Sequence, residues 1–205
     1  MQHKMRLFFA ATFVSGFMFV SCNNDSSNEV TNKDSDTTAV KDNTTVDHKM
    51  EETGVMVGGA NMVPSKDIVD NAAGSTDHTT LVAAVKAAGL VETLKGAGPF
   101  TVFAPTDEAF DKLPAGTVDK LLNPEMKTDL TRILTYHVVP GALRSTDLKD
   151  GQKLKTVQGE ELSVWSKDGK WSVKDAKGHV ANITIADVIS SNGVTYVIDG
   201  VLMPK

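Results

Sequence analysis

Residues 101–110 read TVFAPTDEAF and join a strand to the start of a helix. The apolar run Phe100–Ala104 lies between two prolines, which favours a short buried strand with turns at both ends. Thr106 is a good N-cap residue for a following helix that contains Phe110. We expect the fold to form around this unit, in which a strand leads straight into a capped helix.

The adjacent carboxylates of Asp107 and Glu108 follow the predicted cap. Neighbouring residues on a helix point about 100° apart, so these two groups would not converge on one substrate as general acid and base. Negative charge in a first helical turn suits the helix dipole instead. We therefore interpret both residues as structural.

Apolar residues recur at helical spacing on either side of this unit. The predicted helices have as apolar members Ile68, Val69 and Ala72; Leu81, Ala84, Val85 and Ala88; Leu90, Val91 and Leu94; Val118, Leu121 and Leu122; and Met126, Leu130, Ile133 and Leu134. We expect Ser65 to cap the first helix, Gly74 and Gly89 to end the first two, and Asn123 to begin the last. The helices therefore fall mainly in the first half of the domain.

After Pro140 the period of the apolar pattern changes from 3.6 to 2, which indicates strands. Asp168-Gly169 predicts a two-residue hairpin turn that sets Val164 opposite Val173 and Ser166 opposite Trp171. A further strand is predicted at 180–185, and Asn192-Gly193 predicts a turn between strands at 188–189 and 194–198. Helices followed by strands indicate an α+β domain.

The predicted register of the first hairpin places Trp165 and Trp171 on opposite faces of the sheet. One of them is expected to pack inward, and the other is then an exposed aromatic residue available for contact with a sugar or a protein. The alternative is that both side chains lie in the core or at its rim.

The composition restricts the function. The chain has 205 residues, of which 40 % are hydrophobic, and this favours one domain. A single cysteine excludes a disulfide framework and a cysteine-based zinc or redox centre. The sequence has no run of basic residues interleaved with aromatic ones, so we do not expect nucleic acid as a partner. It also lacks the motifs of nucleophilic catalysis, phosphate binding and metal binding, so we expect neither an enzyme nor a cofactor nor a metal site.

Residues 1–21 are predicted to be a signal peptide. Lys4 and Arg6 precede the apolar run Leu7–Val20, which is too short to cross a bilayer; the alternative is a buried N-terminal helix. The dipeptide Ser21-Cys22 resembles the end of the lipobox of bacterial lipoproteins, in which the cysteine is acylated. We therefore expect lipid on Cys22 and a location in the cell envelope, on the periplasmic face or the outer cell surface.

Residues 22–60 are rich in Asn, Asp, Ser and Thr, and we predict a disordered tether there. This stretch holds 3 basic and 8 acidic residues, a net charge of −5, whereas 61–205 holds 16 and 18, a net charge of −2. The acidity therefore belongs to the tether. We expect the folded domain to occupy residues 61–205.

His137 lies on the apolar face of the last predicted helix. One interpretation is a core histidine with both ring nitrogens hydrogen-bonded. The other is that Tyr136 and His137 contribute to a recognition surface. The sequence leaves both open.

Three segments together resemble the fasciclin-like domains. Residues 101–110 are similar to the first signature of that family, LTYHVVPG at 134–141 to its tyrosine–histidine segment, and NGVTYVIDGVLMP at 192–204 to its closing signature. The resemblance covers 64–205 and implies N-terminal helices packed on a wedge-shaped, mostly antiparallel β assembly. It also implies extracytoplasmic binding or adhesion without catalysis, and it links the segment containing Tyr136 and His137 to adhesion through cell-surface receptors in animal relatives.

The leading hypothesis is a lipid-anchored binding module of the cell envelope that contacts a surface or matrix protein or a polysaccharide. A second is a carrier of a small apolar ligand between helices and sheet, which needs an apolar cavity of roughly 300 Å³ or more. A third is a hydrolase that uses His137. The oligomeric state stays open.

Overall fold

The computed structural model describes residues 53–205. The helices are α1 (Ile68–Gly74), α2 (Thr79–Ala88), α3 (Val91–Lys95), α4 (Asp107–Asp111), α5 (Thr117–Leu122) and α6 (Lys127–Tyr136). The strands are β1 (Val55–Val57), β2 (Ala60–Met62), β3 (Phe100–Pro105), β4 (Val138–Pro140), β5 (Lys153–Lys155), β6 (Glu161–Lys167), β7 (Lys170–Lys174), β8 (Val180–Ser190) and β9 (Gly193–Ile198). The α+β prediction is confirmed.

Seven strands form a sheet in the order β4-β3-β9-β8-β7-β6-β5, and β1 pairs with β2 in a separate hairpin. In the seven-stranded sheet, β3 and β9 run parallel and the other five neighbouring pairs are antiparallel. The N-terminal part of β8 pairs with β7 and its C-terminal part pairs with β9, with register shifts between the two parts. Asp187 has a φ of +56° at one of these irregularities.

The bend in β8 brings the two parts of the sheet face to face. Leu162, Val164 and Val173 of the β6–β7 part share one apolar cluster with Phe103 and Tyr196 of the β3–β9 part. The helices pack on the other side of β3, where Val102 and Ala104 join a second cluster made largely by α1, α2 and α6. β3 therefore lies between two apolar layers. β9 is buried along its whole length. Its Val194, Tyr196 and Ile198 join the first cluster, and Val197 joins a third one with Val57 and Val188.

The first helix cap differs from the prediction, whereas the cap of α4 agrees with it. Asp67, rather than the predicted Ser65, is the N-cap of α1, because it directly precedes the helix and its carboxylate accepts from the Asp70 amide at 2.8 Å. The prediction for Thr106 is confirmed, since its side chain accepts from the Ala109 amide at 3.3 Å.

Two further helix boundaries differ in outcome. Gly89 ends α2 with a φ of +74°, as predicted. Asn123 makes no side-chain cap bond, because Pro124–Met126 forms a 3₁₀ turn and α6 begins only at Lys127.

The first predicted hairpin is confirmed residue by residue: Val164 pairs with Val173 and Ser166 with Trp171, around Asp168 and a glycine that both have positive φ. Trp165 is 48 % exposed, whereas Trp171 packs against the main core. The two indoles therefore lie on opposite faces, one outside and one inside.

The second hairpin turn is displaced by one residue. Ser190 pairs with Gly193, so the turn consists of Ser191 and Asn192, and the predicted strands at 180–185 and 188–189 are one continuous strand. The side chain of Asn192 is the physical reason. Its Oδ1 accepts from the Ile68 amide at 3.1 Å, and its Nδ2 donates to the carbonyl of Leu94 at 2.7 Å. These bonds hold α1 and α3 against the turn.

The folded body begins earlier than predicted. Strands β1 and β2 form a hairpin at residues 55–62, in which Val57 and Met62 are buried against Val188 and Val197. The predicted boundary at residue 61 falls inside this hairpin, because the apolar residues of β1 and β2 are buried only by strands far away in the chain. The predicted signal peptide, the lipid on Cys22 and the tether up to residue 52 lie outside the described residues.

Gly193 is tested by replacement with alanine. A Cβ there would lie 2.0 Å from the carbonyl oxygen of Phe100, so Gly193→Ala must push β3 and β9 apart. We expect the free energy of unfolding to fall by about 2 kcal/mol or more in a urea titration.

Gly74→Ala is the matched control, since its Cβ meets only the Ala60 methyl group at 3.6 Å. We expect this variant to be as stable as the wild type or more stable by less than about 1 kcal/mol. Equal stabilities of the two variants would contradict the close approach at Gly193.

Candidate functional site

The predicted recognition pair lies where α6 meets β4. Tyr136 is the last residue of α6, and His137 is the C-cap residue that leads into the strand. The backbone carbonyl of His137 accepts from the Phe103 amide at 2.9 Å, so this junction is joined directly to β3.

His137 is buried, with 3 % of its surface exposed. Its Nδ1 lies 2.9 Å from the carbonyl of Ile133 and must donate to it, whereas Nε2 accepts from the Leu202 amide at 3.0 Å. Burial lowers the pKa of His137 to about 4, although the bond to Ile133 and the charge of Asp175 favour protonation. The ring is therefore neutral near pH 7, and both of its nitrogens are engaged.

Tyr136 is fully buried. Its hydroxyl donates to the carbonyl of Glu161 at 3.1 Å and accepts from the Ala176 amide at 2.9 Å. Burial raises the pKa of the phenol. Tyr136 thus ties α6 to the start of β6 and to the turn that follows β7.

Asp175 lies in that same turn, and its carboxylate is fully buried. It accepts from the amides of Lys177, His179 and Met203 at 2.8 to 3.0 Å, and from the His179 ring at 2.9 Å. Burial alone would raise the pKa of Asp175, but the bonds from Met203 and His179 outweigh it and hold the pKa below its usual value. The carboxylate fixes the C-terminal segment beside Tyr136 and His137.

These contacts correct one expectation. Tyr136 and His137 do not form an exposed recognition surface, because both side chains are enclosed and their polar atoms bond to the protein itself. The alternative interpretation, a core histidine with both nitrogens bonded, is what the structure shows. A hydrolase that uses His137 as its base loses its main support, since both ring nitrogens are bonded to the backbone.

The carrier hypothesis also fails its size criterion. The apolar cavity between the helices and β3 is lined by residues such as Val69, Leu81, Val102 and Leu134, and its volume is about 40 Å³. That is far below the roughly 300 Å³ that a small-molecule pocket needs.

Asp107 and Glu108 lie in the first turn of α4, as the sequence predicts, and Asp107 has a second structural role that the sequence did not predict. Its carboxylate accepts from the Thr80 amide at 2.9 Å and from the Thr79 amide at 3.3 Å, at the N-terminus of α2. Burial opposes ionisation, but the hydrogen bond donated by the Thr79 hydroxyl at 2.5 Å, together with these amide bonds, outweighs it and lowers the pKa of Asp107. It therefore caps a neighbouring helix and does not act with Glu108 as an acid–base pair.

The outer face of β5, β6 and β7 is the described surface that best fits a binding role. We call it the Trp165 face. Its members are the outward residues Lys153, Lys155, Glu161, Ser163, Trp165, Lys167, Lys170, Ser172 and Lys174. An open groove of about 490 Å³ crosses it, lined in part by Lys153, Trp165 and Lys174.

Sequence reasoning found Trp165 but missed the lysines around it. The five lysines are spread over three strands and over 22 positions of the chain, so no continuous basic run exists. Their alternation with buried residues was the available signal, because alternate residues of a strand share one face. The two-residue turn predicted at Asp168-Gly169 also places Lys167 opposite Lys170, as the structure shows.

The architecture is that of a FAS1 domain. A FAS1 domain pair from the insect cell adhesion molecule Fasciclin I has a similar structure, with a TM-score of 0.61 and 20 % identity, covering 69 % of this chain and 52 % of that one. The fasciclin domain family matches residues 76–204. The chain belongs to this family, and the resemblance inferred from its three segments is confirmed.

Named relatives occur in bacteria and animals. Protein sll1483 of Synechocystis is 49 % identical over 153 residues, which cover 75 % of this chain and 82 % of that protein. The cell surface glycolipoprotein MPB83 of Mycobacterium bovis is 43 % identical over 118 residues, covering 56 % and 48 %. The transforming growth factor-beta-induced protein ig-h3 of Sus scrofa is 41 % identical over 141 residues, covering 69 % and 20 %.

The described residues contain neither a membrane-spanning helix nor a cluster of metal-binding side chains. Among residues 53–205 there is no helix long and apolar enough to cross a membrane. The same residues contain no group of three or more His, Cys, Asp and Glu side chains placed to hold a metal ion.

The buried state of His137 predicts a pH dependence of stability. The folded protein keeps His137 neutral down to a pKa of about 4, whereas the unfolded chain takes up the proton near pH 6.5. Its contribution is therefore fully present above pH 6.5 and falls by about 3 kcal/mol as the pH drops to 4. Urea titrations across this range measure the loss.

His137→Gln tests the assignment, because glutamine cannot titrate. We expect this variant to be less stable than the wild type at pH 8 but to lose less stability between pH 6.5 and 4. His78, also buried and with its pKa lowered chiefly by burial, contributes in the same direction, so His78→Gln is measured in parallel. Identical pH profiles for wild type and His137→Gln would contradict the buried neutral ring.

Proposed function

We propose that the chain is a non-catalytic binding and adhesion module, anchored by lipid on Cys22 to the cell envelope, that presents its fasciclin domain on a tether. Its partners are cell-surface or matrix proteins or polysaccharides. The structural observation that carries the proposal is the contrast between the enclosed groups of the Tyr136–His137 junction and the exposed Trp165 face.

The chemistry of the junction supports binding rather than catalysis. Catalytic acids and bases must reach a substrate, and their hydrogen bonds must be free to rearrange. The hydroxyl of Tyr136, the ring of His137 and the carboxylate of Asp175 instead each hold backbone amides or carbonyls in place. These groups stabilise the domain, and recognition is left to its outer surfaces.

Location is supported by the N-terminal sequence and by a relative. The apolar run that ends at Ser21-Cys22 has the form of a lipoprotein signal. The Mycobacterium bovis relative is named a cell surface glycolipoprotein. Attachment through two or more acyl chains would be stable, whereas one chain alone gives marginal binding.

The anchor is tested by replacing Cys22 in the full chain. We expect the wild type to take up radioactive fatty acid and to stay with the membrane fraction, and Cys22→Ser to lose the label and move to the soluble fraction. Protease added to intact cells reports whether the domain is outside, since only an exposed domain is cleaved.

Ser26→Ala is the control, because it changes another small polar residue near the same site without removing the thiol. It should behave like the wild type. An unlabelled wild-type chain that stays soluble would overturn the anchoring proposal.

A further inference from the structure

The Trp165 face has a regular arrangement that the strand register defines. Lys153 of β5, Ser163 of β6 and Lys174 of β7 form one row across the strands. The next row contains Trp165 and Ser172, and the row after that contains Lys167 and Lys170. The indole therefore lies between two rows of lysines, which are about 13 Å apart along the strands.

The face is basic although the chain as a whole is acidic. Its five lysines are opposed by one carboxylate on the same strands, that of Glu161, whereas the chain carries a net charge of −5. Glu161 lies 3.3 Å from the ammonium of Lys153, and both side chains are more than half exposed. Within residues 53–205, the other four lysines form no ion pair. They are free to attract an anionic partner.

Other acidic groups lie at the margins of the face. Glu160 lines one end of the groove, where its carboxylate is paired with Arg132 at 3.1 Å and accepts from the Lys205 amide. Asp168 lies in the turn between Lys167 and Lys170. Asp175 is buried and fully bonded. The centre of the face, around Trp165, is thus left to lysines and serines.

The side chains indicate the chemistry of the partner. All five cations on the face are lysines, which act as separate point charges, whereas the recognition of single carboxylate or phosphate groups favours the bidentate arginine. Spaced lysines therefore suit a polymer with repeated negative charges. The half-exposed indole offers a flat apolar surface for a sugar ring, and Ser163 and Ser172 on either side offer hydroxyls.

A lipid surface fits less well. An anionic membrane would be bound best by a contiguous apolar patch together with the lysines. Here the large apolar side chains exposed nearby are Trp165 and Val180, and polar residues separate them along the strands.

We propose that the Trp165 face binds an anionic polysaccharide, with its sugar ring on Trp165 and its negative groups on the two lysine rows. This inference rests on the proposed function, and it adds the class of partner and the binding site. It assigns the partner's charge and the contacting side chains.

The test uses the full chain and alginate, a linear polymer of uronic acids. Biolayer interferometry measures the Kd at 50 and 200 mM NaCl. We expect saturable binding that weakens at least about fivefold at the higher salt, since exposed charges are increasingly screened. Neutral dextran should show no binding under either condition.

Matched charge variants locate the site. The triple change Lys167→Gln, Lys170→Gln and Lys174→Gln should weaken alginate binding at least about tenfold at 50 mM NaCl. The control triple Lys86→Gln, Lys120→Gln and Lys127→Gln removes the same charge from exposed helical positions and should stay within about twofold of the wild type. Trp165→Ala should weaken binding at least about fivefold, and Trp165→Phe less. Melting temperatures near the wild-type value confirm that every variant is folded.

Several outcomes would overturn the inference: equal loss in the two triple variants, no binding of alginate, or tighter binding of phosphatidylglycerol vesicles or single-stranded DNA than of alginate. The acylation of Cys22 is measured separately, so its failure and the failure of this inference are distinguishable. If the chain is labelled and membrane-bound but does not bind alginate, the proposed function stands and the inferred partner is wrong.

Discussion

The seam formed by β4, β3 and β9 is the constraint on which the rest of the structure depends. Phe100 pairs with Gly193 in a parallel register, and Val102 pairs with both Thr195 and Val138, so segments far apart in the chain must meet before the sheet can form. The three segments that resemble the family signatures are the three parts of this seam. These segments therefore specify a fold, and their polar residues form the hydrogen bonds that stabilise it.

Buried polar groups hold the seam together by hydrogen bonds to the backbone. His137 accepts from the Phe103 amide through its carbonyl and from the Leu202 amide through its ring, which links the first and last segments to the middle one. Asn192 similarly bonds to the backbone at Ile68 and Leu94 and holds two helices on the turn. Buried polar groups that are fully bonded specify one arrangement of the chain, since any other would leave them unpaired. The lysines around Trp165 lie instead on the exposed face of the outer strands, where we propose that recognition takes place.

Local features were the part of the fold that the sequence could predict. The β6–β7 register depends on a two-residue turn and on alternation, and helix periodicity with a cap such as Thr106 depends on neighbours within a few positions. The predictions that were wrong depend on distant contacts. The turn at Asn192 differs by one residue because the Asn192 side chain bonds to α1 and α3. The hairpin of β1 could not be predicted, because its apolar face is buried by the distant residues Val188 and Val197. The candidate site divides in the same way. The enclosure of Tyr136 depends on the later strands, whereas the outward direction of the lysines follows from alternation within each strand.

Hydrogen exchange of the amides of Phe103 and Leu202 tests the central claim most directly, because both donate to His137. If the seam is a closed internal structure, both amides exchange only on global unfolding, with the same free energy as the slowest amides of β9. Exchange of these two amides at a much lower free energy than that of β9 would mean that the Tyr136–His137 junction opens locally. That result would contradict a purely structural role and would make the junction available to a partner.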